Sequence, residues 1–537
     1  MHILVKRTLP SVLALFSFLA APLTVEAQVD VAVFSVNDFH GAFVRNDDKG
    51  IAGAPSVWQT LDSLKAVYPC HVTVSAGDNF GGSYFYNATH GVLLPVFFND
   101  LGIRLSAVGN HEFDSGQESL AAKWKDTPMH PADWDITYVC ANIRDAQKGG
   151  VPAFAQPFAT VPVTLPGGKT FTVGLAGLLT SSTPQQTSVR RIAGLAFDGR
   201  YNAVLDSVLR LPAAAPLREA NVRLLLTHIG TKSDAQGNPL WFDRDSKELE
   251  RIDTALWKGM FTSHTHEYVC GRINNGSLPV VQGRWHGDFI SYLVCRVDTA
   301  TMQVTSVTPH TLRVTPKAHL AAGPARLQAQ IDSLLQHTRT EGGTPIGEQL
   351  AVASHNMPHD RSHKYSQTEL GTLVCKSYAE AYRTAAGKGD KEVIVGCSHF
   401  GSIRGGLAKG KVSVLDVGEA LPFANRLIVY RLTAKQLKEL AQYGLHNTEY
   451  GWLQTGNLDI TTDKNGDVTA LAYVSPQGRR TQLKDGKMCY LVADEFMTTG
   501  GDGYGPKFFP AASVVEADGL PTTTDAFINY LKLQKQI

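Results

Sequence analysis

No two cysteines in this chain are spaced as C-x-x-C, and its seven, at 70, 140, 270, 295, 375, 397 and 489, are scattered and odd in number. That pattern argues against thiolate metal binding, dithiol redox chemistry and a disulfide framework. Cys140, Cys295 and Cys375 fall in the apolar runs TYVC, SYLVC and TLVC, and they read as small core residues. A dominant charge is missing too. With a formal net charge of +1 the chain has no global field for a nucleic-acid polymer or an anionic membrane, so an anionic ligand needs a local site. Beyond the N-terminus no apolar run reaches the ~20 residues of a membrane span. Internal repeats and low-complexity tracts are also absent.

What is present is ordinary globular material, 43% hydrophobic and 18% charged over 537 residues, too long for one core. Lys6 and Arg7 precede an apolar stretch from Val12 to Ala21, and Val25-Glu26-Ala27 offers small residues at a cleavage spacing. The expected reading is an export signal over 1–27, with mature protein from about Gln28, periplasmic or extracellular and without stable membrane insertion. No Cys follows the cleavage point, so lipidation there is not expected.

From Val29 to about Thr315, strand-like runs alternate with helix-like segments such as Ala54 to Val67 and Tyr201 to Leu211. That alternation predicts an α/β layered domain over 28–316. Leu327, Ile331, Leu334 and Leu335 then recur at helical spacing, predicting a connecting helix and linker over 317–345. Gly342-Gly343-Thr344-Pro345 breaks the chain, and a second α/β domain is expected over 346–537.

The chemistry stands at strand ends. Val31–Val36 stops at Asn37-Asp38-Phe39-His40, and His71–Ser75 stops at Gly77-Asp78-Asn79. Leu105–Val108 stops at Gly109-Asn110-His111, Leu224–Leu226 at Thr227-His228, and Met260–Thr262 at Ser263-His264-Thr265-His266. A single Asp after a strand is usually a turn or a cap, and a single His there is usually hydrogen-bonded structure. Five strand ends with only oxygen and nitrogen donors form a joint pattern, at the edge where α/β folds build their sites. Asp with His, and no Cys, suits a pair of hard or borderline divalent ions, which can clamp a phosphoryl group while activating water.

The blocks DFHG (38–41), GDNFGGS (77–83), GNHEFD (109–114), THIG (227–230) and SHTH (263–266) resemble the calcineurin-like metallophosphoesterase signature. Their order, with a second domain behind, resembles the exported 5′-nucleotidase and UDP-sugar hydrolase family over residues 30 to 520. The resemblance implies a four-layer αββα catalytic domain joined by a helix to a C-terminal 5′-nucleotidase domain. It implies two divalent ions, zinc first, with manganese, cobalt or magnesium as alternatives. Asp38, His40 and His266 are expected to hold one ion and Asn110, His228 and His264 the other, with Asp78 between them. The family often has Gly where Ser263 stands and sometimes Gln where His266 stands. His111, paired with Asp114, is expected to act on the phosphate as the catalytic dyad; the bland alternative for Asp114 is a helix cap.

Three blocks of the second half resemble the family's nucleotide-binding segments. GSIR (401–404) implies a phosphate-binding Arg404, LPFAN (421–425) a base-stacking Phe423, and FMTTGGDGY (496–504) a second ring, Phe496, with Asp502 for the ribose hydroxyls. Two aromatic faces can sandwich a base and an Arg can grip phosphate bidentately, whereas core packing is the plain alternative for both rings. The block before Arg404 departs from the family: His399 stands where Asn is usual, and Phe400 where Gly is usual. Arg361 and Lys364 lie where further basic phosphate ligands are expected. DKNGD (463–467) lacks the acidic residue that a calcium loop needs and predicts a hairpin turn. His355, His359 and His363 recur every four residues, but Pro358 breaks any helix there.

The expected partner is a small nucleotide, with oligomeric state left open. The expected function is hydrolysis of nucleoside 5′-monophosphates, with UDP-sugars or ATP as further substrates. A 2′,3′-cyclic-nucleotide phosphodiesterase with 3′-nucleotidase activity and a silent nucleotide-binding protein are the alternatives.

Overall fold

A computed structural model describes residues 28–537 except 48, 123, 124, 126, 242, 274, 275 and 390. The expected export signal lies outside the described residues.

Two six-stranded sheets form the first half. One runs in the order Val304–Arg313, Phe289–Asp298, Gln28–Val36, His71–Ser75, Ile103–Ala107, Thr137–Val139. The other runs Tyr268–Ile273, Leu278–Gly283, Met260–Phe261, Val222–His228, Thr170–Leu179, Phe158–Thr164. Alternation along the strands explains why they face each other. Val31 and Val33 point into an inner core shared with Leu224, Leu226, Phe261 and Val281 of the second sheet. Ala32, Phe34 and Val36 point outward against Val57 and Leu61 of the helix Ala54–Val67. On the far side, Leu225 and Met260 pack against Val204, Leu205 and Val208 of the helix Tyr201–Arg210. Strands buried on both faces need the near-continuous apolar runs that the sequence carries. The result is the four-layer αββα arrangement.

The helix Ala322–His337 buries Leu327 and Ile331 and leads into the second half. There a five-stranded sheet runs Gln454–Gly456, Ile394–Ser398, Met488–Asp494, Leu427–Thr433, Val514–Val515. Leu437, Leu440 and Ala441 of the helix Ala434–Leu445 cover one face, and the helix Glu369–Ala385 lies across the other. The two halves touch directly. Glu419 accepts the Tyr84 backbone N–H at 3.0 Å, and Asn87 Nδ2 donates to the Pro422 carbonyl at 3.2 Å. Gly418 is small because the Tyr84 ring occupies the space that a Cβ would take. The 463–467 segment is a hairpin turn between Leu458–Thr462 and Val468–Val474. All seven cysteines are free thiols.

Candidate active site

The loops after five of these strands converge on one edge. Three groups of side chains bring their donor atoms within 4.8 Å of one another: Asp38–His40–His266, His40–Asp78–His111, and Asp78–His228–His264. Asp78 belongs to two of them. Its Oδ2 stands 3.1 Å from His228 Nε2 and 3.8 Å from His40 Nε2, while Oδ1 accepts the His111 backbone N–H at 2.9 Å. Asp38 Oδ1 lies 3.6 Å from His266 Nε2 and 2.9 Å from the His264 N–H. Asp38, Asp78, His228 and Asn110 are buried, whereas the His266 side chain is 35% exposed and that of His111 26%. The site therefore has a closed floor and an open mouth.

The backbone is bent to bring this about. Asp38, His40, Asp78, His264 and His266 all have φ between 47° and 77°. Left-handed backbone is uncommon outside glycine and persists only where the surroundings over-determine it. Glu112 supplies much of that determination. Its carboxylate accepts three backbone N–H groups, from Asp78 at 2.9 Å, Asn79 at 2.8 Å and Gly109 at 2.7 Å. Gly109 itself is required because a Cβ there would collide with Asp78 Oδ1.

The donor set fits divalent cations. His40 Nε2 and His266 Nε2 face each other at 3.1 Å, an approach that a shared positive centre satisfies better than one proton. His228 Nδ1 donates to the Ala76 carbonyl at 2.9 Å, which turns Nε2 towards Asp78. Asn110 Oδ1 and His228 Nε2 are buried without a hydrogen-bond partner. Burial first, with repulsion from neighbouring imidazoles, lowers His264 to about 3, and burial with repulsion from His228 and His111 lowers His266 to about 4. Both are neutral at physiological pH, as ligands must be. Burial also raises Asp38 to about 7, with repulsion from Asp78 adding to it.

His111 stands beside this cluster. Its Nδ1 donates to Asp114 Oδ2 at 2.7 Å, so Asp114 holds the imidazole. Burial opposes a charge on His111, but Asp78 and Asp114 outweigh it and raise the group to about 9.

From the second half, the charge of Arg404 reaches both His111 and Asp114. Its guanidinium lies 5.5 Å over the Phe423 ring. Burial lowers Arg404 to about 10, and the nearby Arg361 guanidinium adds repulsion that Asp502 partly offsets. Phe423 and Phe496 are 50% and 45% exposed, far from core burial. His399 binds Asp502 and packs on Phe496. Lys364 is not brought in: its ammonium donates to the Glu449 carbonyl. The three spaced histidines separate, His355 to Glu369, His359 to the Phe400 carbonyl and His363 to Asp360. Phe400 is buried with its ring stacked on His359 at 4.0 Å, so this departure is absorbed by packing.

Residues 346–510 match the model of the 5′-nucleotidase C-terminal domain family. This half of the chain is a 5′-nucleotidase C-terminal domain. The chain's relatives include a 5′-nucleotidase of Bos taurus, a phosphoric monoester hydrolase, 20% identical over 505 residues. Among similar proteins, the trifunctional nucleotide phosphoesterase protein YfkN of Bacillus subtilis is 23% identical over 511 residues, covering 88% of this chain and 32% of its own length. An apyrase of Anopheles gambiae is 20% identical over 513 residues, covering 89% of this chain and 84% of its own. The chain thus spans about a third of YfkN and most of the apyrase. The crystal structure of a 5′-nucleotidase precursor from Thermus thermophilus shares the fold, with a TM-score of 0.66 at 22% identity over 95% of this chain and 97% of that one.

Several neighbours of the site escaped the sequence reading. Trp285 stacks on His266 at 4.7 Å and on His286 at 3.9 Å. Gln186 places its amide 3.1 Å from His264 Nε2, and Arg191 lies 3.8 Å from Asp114 Oδ1. Gln186 and Arg191 stand at no strand end, and Trp285 follows the strand Leu278–Gly283 with a side chain that is no metal ligand, so the buried, motif-embedded Glu112 carried the clearer signal in the sequence.

Proposed function

We propose that this 5′-nucleotidase-family chain is an exported, dimetal hydrolase of nucleoside 5′-monophosphates. One observation carries the reading: the oxygen and nitrogen cluster of the first half opens towards Arg404, with Phe423, Phe496 and Asp502 in the same region of the second half. Two divalent cations, one held by Asp38, His40 and His266 and one by Asn110, His228 and His264, with Asp78 shared, would supply an activated water and neutralise phosphoryl charge. The chain's own groups do the rest. His111, fixed at Nδ1 by Asp114, donates from Nε2 to a phosphoryl oxygen as charge builds there. Arg404 grips the phosphate from the opposite side, supported by Arg361. Phe423 and Phe496 stack the base, and Asp502 accepts hydrogen bonds from the ribose.

The test is a panel of AMP, 3′-AMP, 2′,3′-cyclic AMP, UDP-glucose and ATP with saturating Mn²⁺ or Zn²⁺. Hydrolysis of AMP ahead of 3′-AMP and the cyclic ester is expected. Turnover confined to the cyclic and 3′ substrates replaces the reading with a cyclic phosphodiesterase, and no turnover at all leaves a nucleotide-binding protein. Export rests on the residues before Gln28, and N-terminal sequencing of the secreted protein tests it. Among the described residues no helix is long and apolar enough to cross a membrane.

A further inference from the structure

His399 and Asp502 lie 103 positions apart in the chain, yet His399 Nδ1 meets Asp502 Oδ2 at 2.5 Å. An ionised carboxylate only accepts, so Nδ1 carries the proton. His399 is 6% exposed and the Asp502 side chain 16%, so the bond is largely shielded from water. Asp502 itself sits in left-handed backbone at φ 52°, with its carbonyl held by Asn447 Nδ2 at 3.1 Å. The same imidazole packs against Phe496, ring centres 4.9 Å apart and tilted by 34°. A shared anchor holds both elements. Asp494 accepts the Met497 N–H at 2.9 Å, capping the short helix that bears Phe496, and also accepts the Ser398 hydroxyl at 3.1 Å at the end of the strand that bears His399. Ser398 meets Ser402 at 2.6 Å, and Ser402 donates to the His399 carbonyl at 2.9 Å.

We infer that His399 is a positioning residue for nucleoside recognition. Its Nδ1–H fixes the Asp502 carboxylate for the ribose hydroxyls, and its ring backs Phe496 against the base. The inference rests on the nucleotide reading above, and it gives that reading a sugar preference. A carboxylate held by one donor keeps its remaining lone pairs aimed in a set direction, and a sugar lacking hydroxyls leaves them unpaired.

The two functions can be separated by substitution. In His399→Asn the amide nitrogen stands where Nδ1 does, so the bond to Asp502 survives while the ring contact is lost. In His399→Phe the ring remains and the donor is lost. The measurement is kcat/KM for AMP and for 2′,3′-dideoxy-AMP in the native protein and both variants, with p-nitrophenyl phosphate turnover reporting that the metal centre is assembled. The native protein is expected to prefer AMP by roughly ten- to a hundredfold, the range of one charge-assisted hydrogen bond. His399→Asn keeps that ratio while KM for both nucleotides rises. His399→Phe brings the ratio to within about threefold of unity, and His399→Leu does the same should the Phe variant fail to fold. A native ratio near unity, or a native-like ratio in His399→Phe, overturns the inference while leaving AMP hydrolysis intact. Absence of AMP turnover beside active p-nitrophenyl phosphate hydrolysis removes the nucleotide reading, and this inference with it.

Discussion

The sharpest perturbation is Asp78→Asn, because the Asp78 carboxylate stands beside imidazoles of both ligand groups. Its Oδ2 is 3.1 Å from His228 Nε2 on one side and 3.8 Å from His40 Nε2 on the other. An amide at this position keeps the size but removes the negative charge that two cations would share. A ligand that binds only the folded state stabilises it by RT ln(1 + [L]/Kd), about 4 kcal/mol at a thousandfold excess over Kd. Two sites under those conditions contribute roughly 8 kcal/mol, and raising both Kd values to the free metal concentration leaves only about 0.4 kcal/mol each. At about 2 °C per kcal/mol for a large domain, the metal-dependent rise in Tm should shrink from on the order of 15 °C to about 2 °C. The metal-free proteins should differ less. There the lost Asp78 charge removes a repulsion on Asp38 but also the attraction that raises His111 and His228 to about 9. Asp78→Asn is therefore expected to be less stable than the native protein with Zn²⁺, and less stable by a smaller margin with EDTA. His266→Ala, which touches one group, should lose about half of the metal-dependent rise. The assays are elemental analysis and thermal unfolding with metal and with chelator. Two full equivalents in Asp78→Asn, with an undiminished Tm rise, would refute the shared position.

Three further outcomes follow from the same geometry. His111→Asn should lower kcat by roughly a hundredfold or more, with metal content near native, because the lost donor acts on developing charge; a native kcat sinks that role. Phe423→Ala and Phe496→Ala should each weaken AMP binding by roughly 1–3 kcal/mol, seen as a ten- to hundredfold rise in KM, with a much smaller effect on p-nitrophenyl phosphate. Equal losses on both substrates would make the rings mere supports. Glu112→Gln should cost roughly 1–3 kcal/mol in denaturant unfolding and weaken metal retention, since an amide group must face backbone N–H groups that a carboxylate now accepts; unchanged retention would show that the loops hold their shape without it.

The strands and helices nearest the site were legible because their physics is local. The helix Ala54–Val67 and the strand His71–Ser75 fall on the bounds that the sequence suggests, the helix opened by Pro55 after a left-handed Gly53. The strand ends could be aligned because each apolar run stops at a polar donor, and folding brings five such stops to one edge. What escaped arrives from elsewhere. Trp285 and Arg191 sit in loops and Gln186 ends the short helix Thr183–Gln186, and their approach is set by how two sheets pack, which no short window encodes. Lys364 turns elsewhere for a related reason: its ammonium donates to the carbonyl of Glu449, 85 residues away.

The left-handed residues connect these two halves of the account. Among the described non-glycine residues with positive φ are Asp38, His40, Asp78, His264, His266 and Asp502, each expected from the sequence to bind metal or substrate. Sequence pattern named their chemistry but not their strain, because φ depends on what holds the loop. Strain of this kind lasts only when nearby groups fix it, and Glu112 around Asp78 and His399 with Asn447 around Asp502 are such groups. The residues that hold the loops are thus as much a part of the site as the residues that face the ligand. They were hard to see because a clamp has no chemistry of its own to announce it.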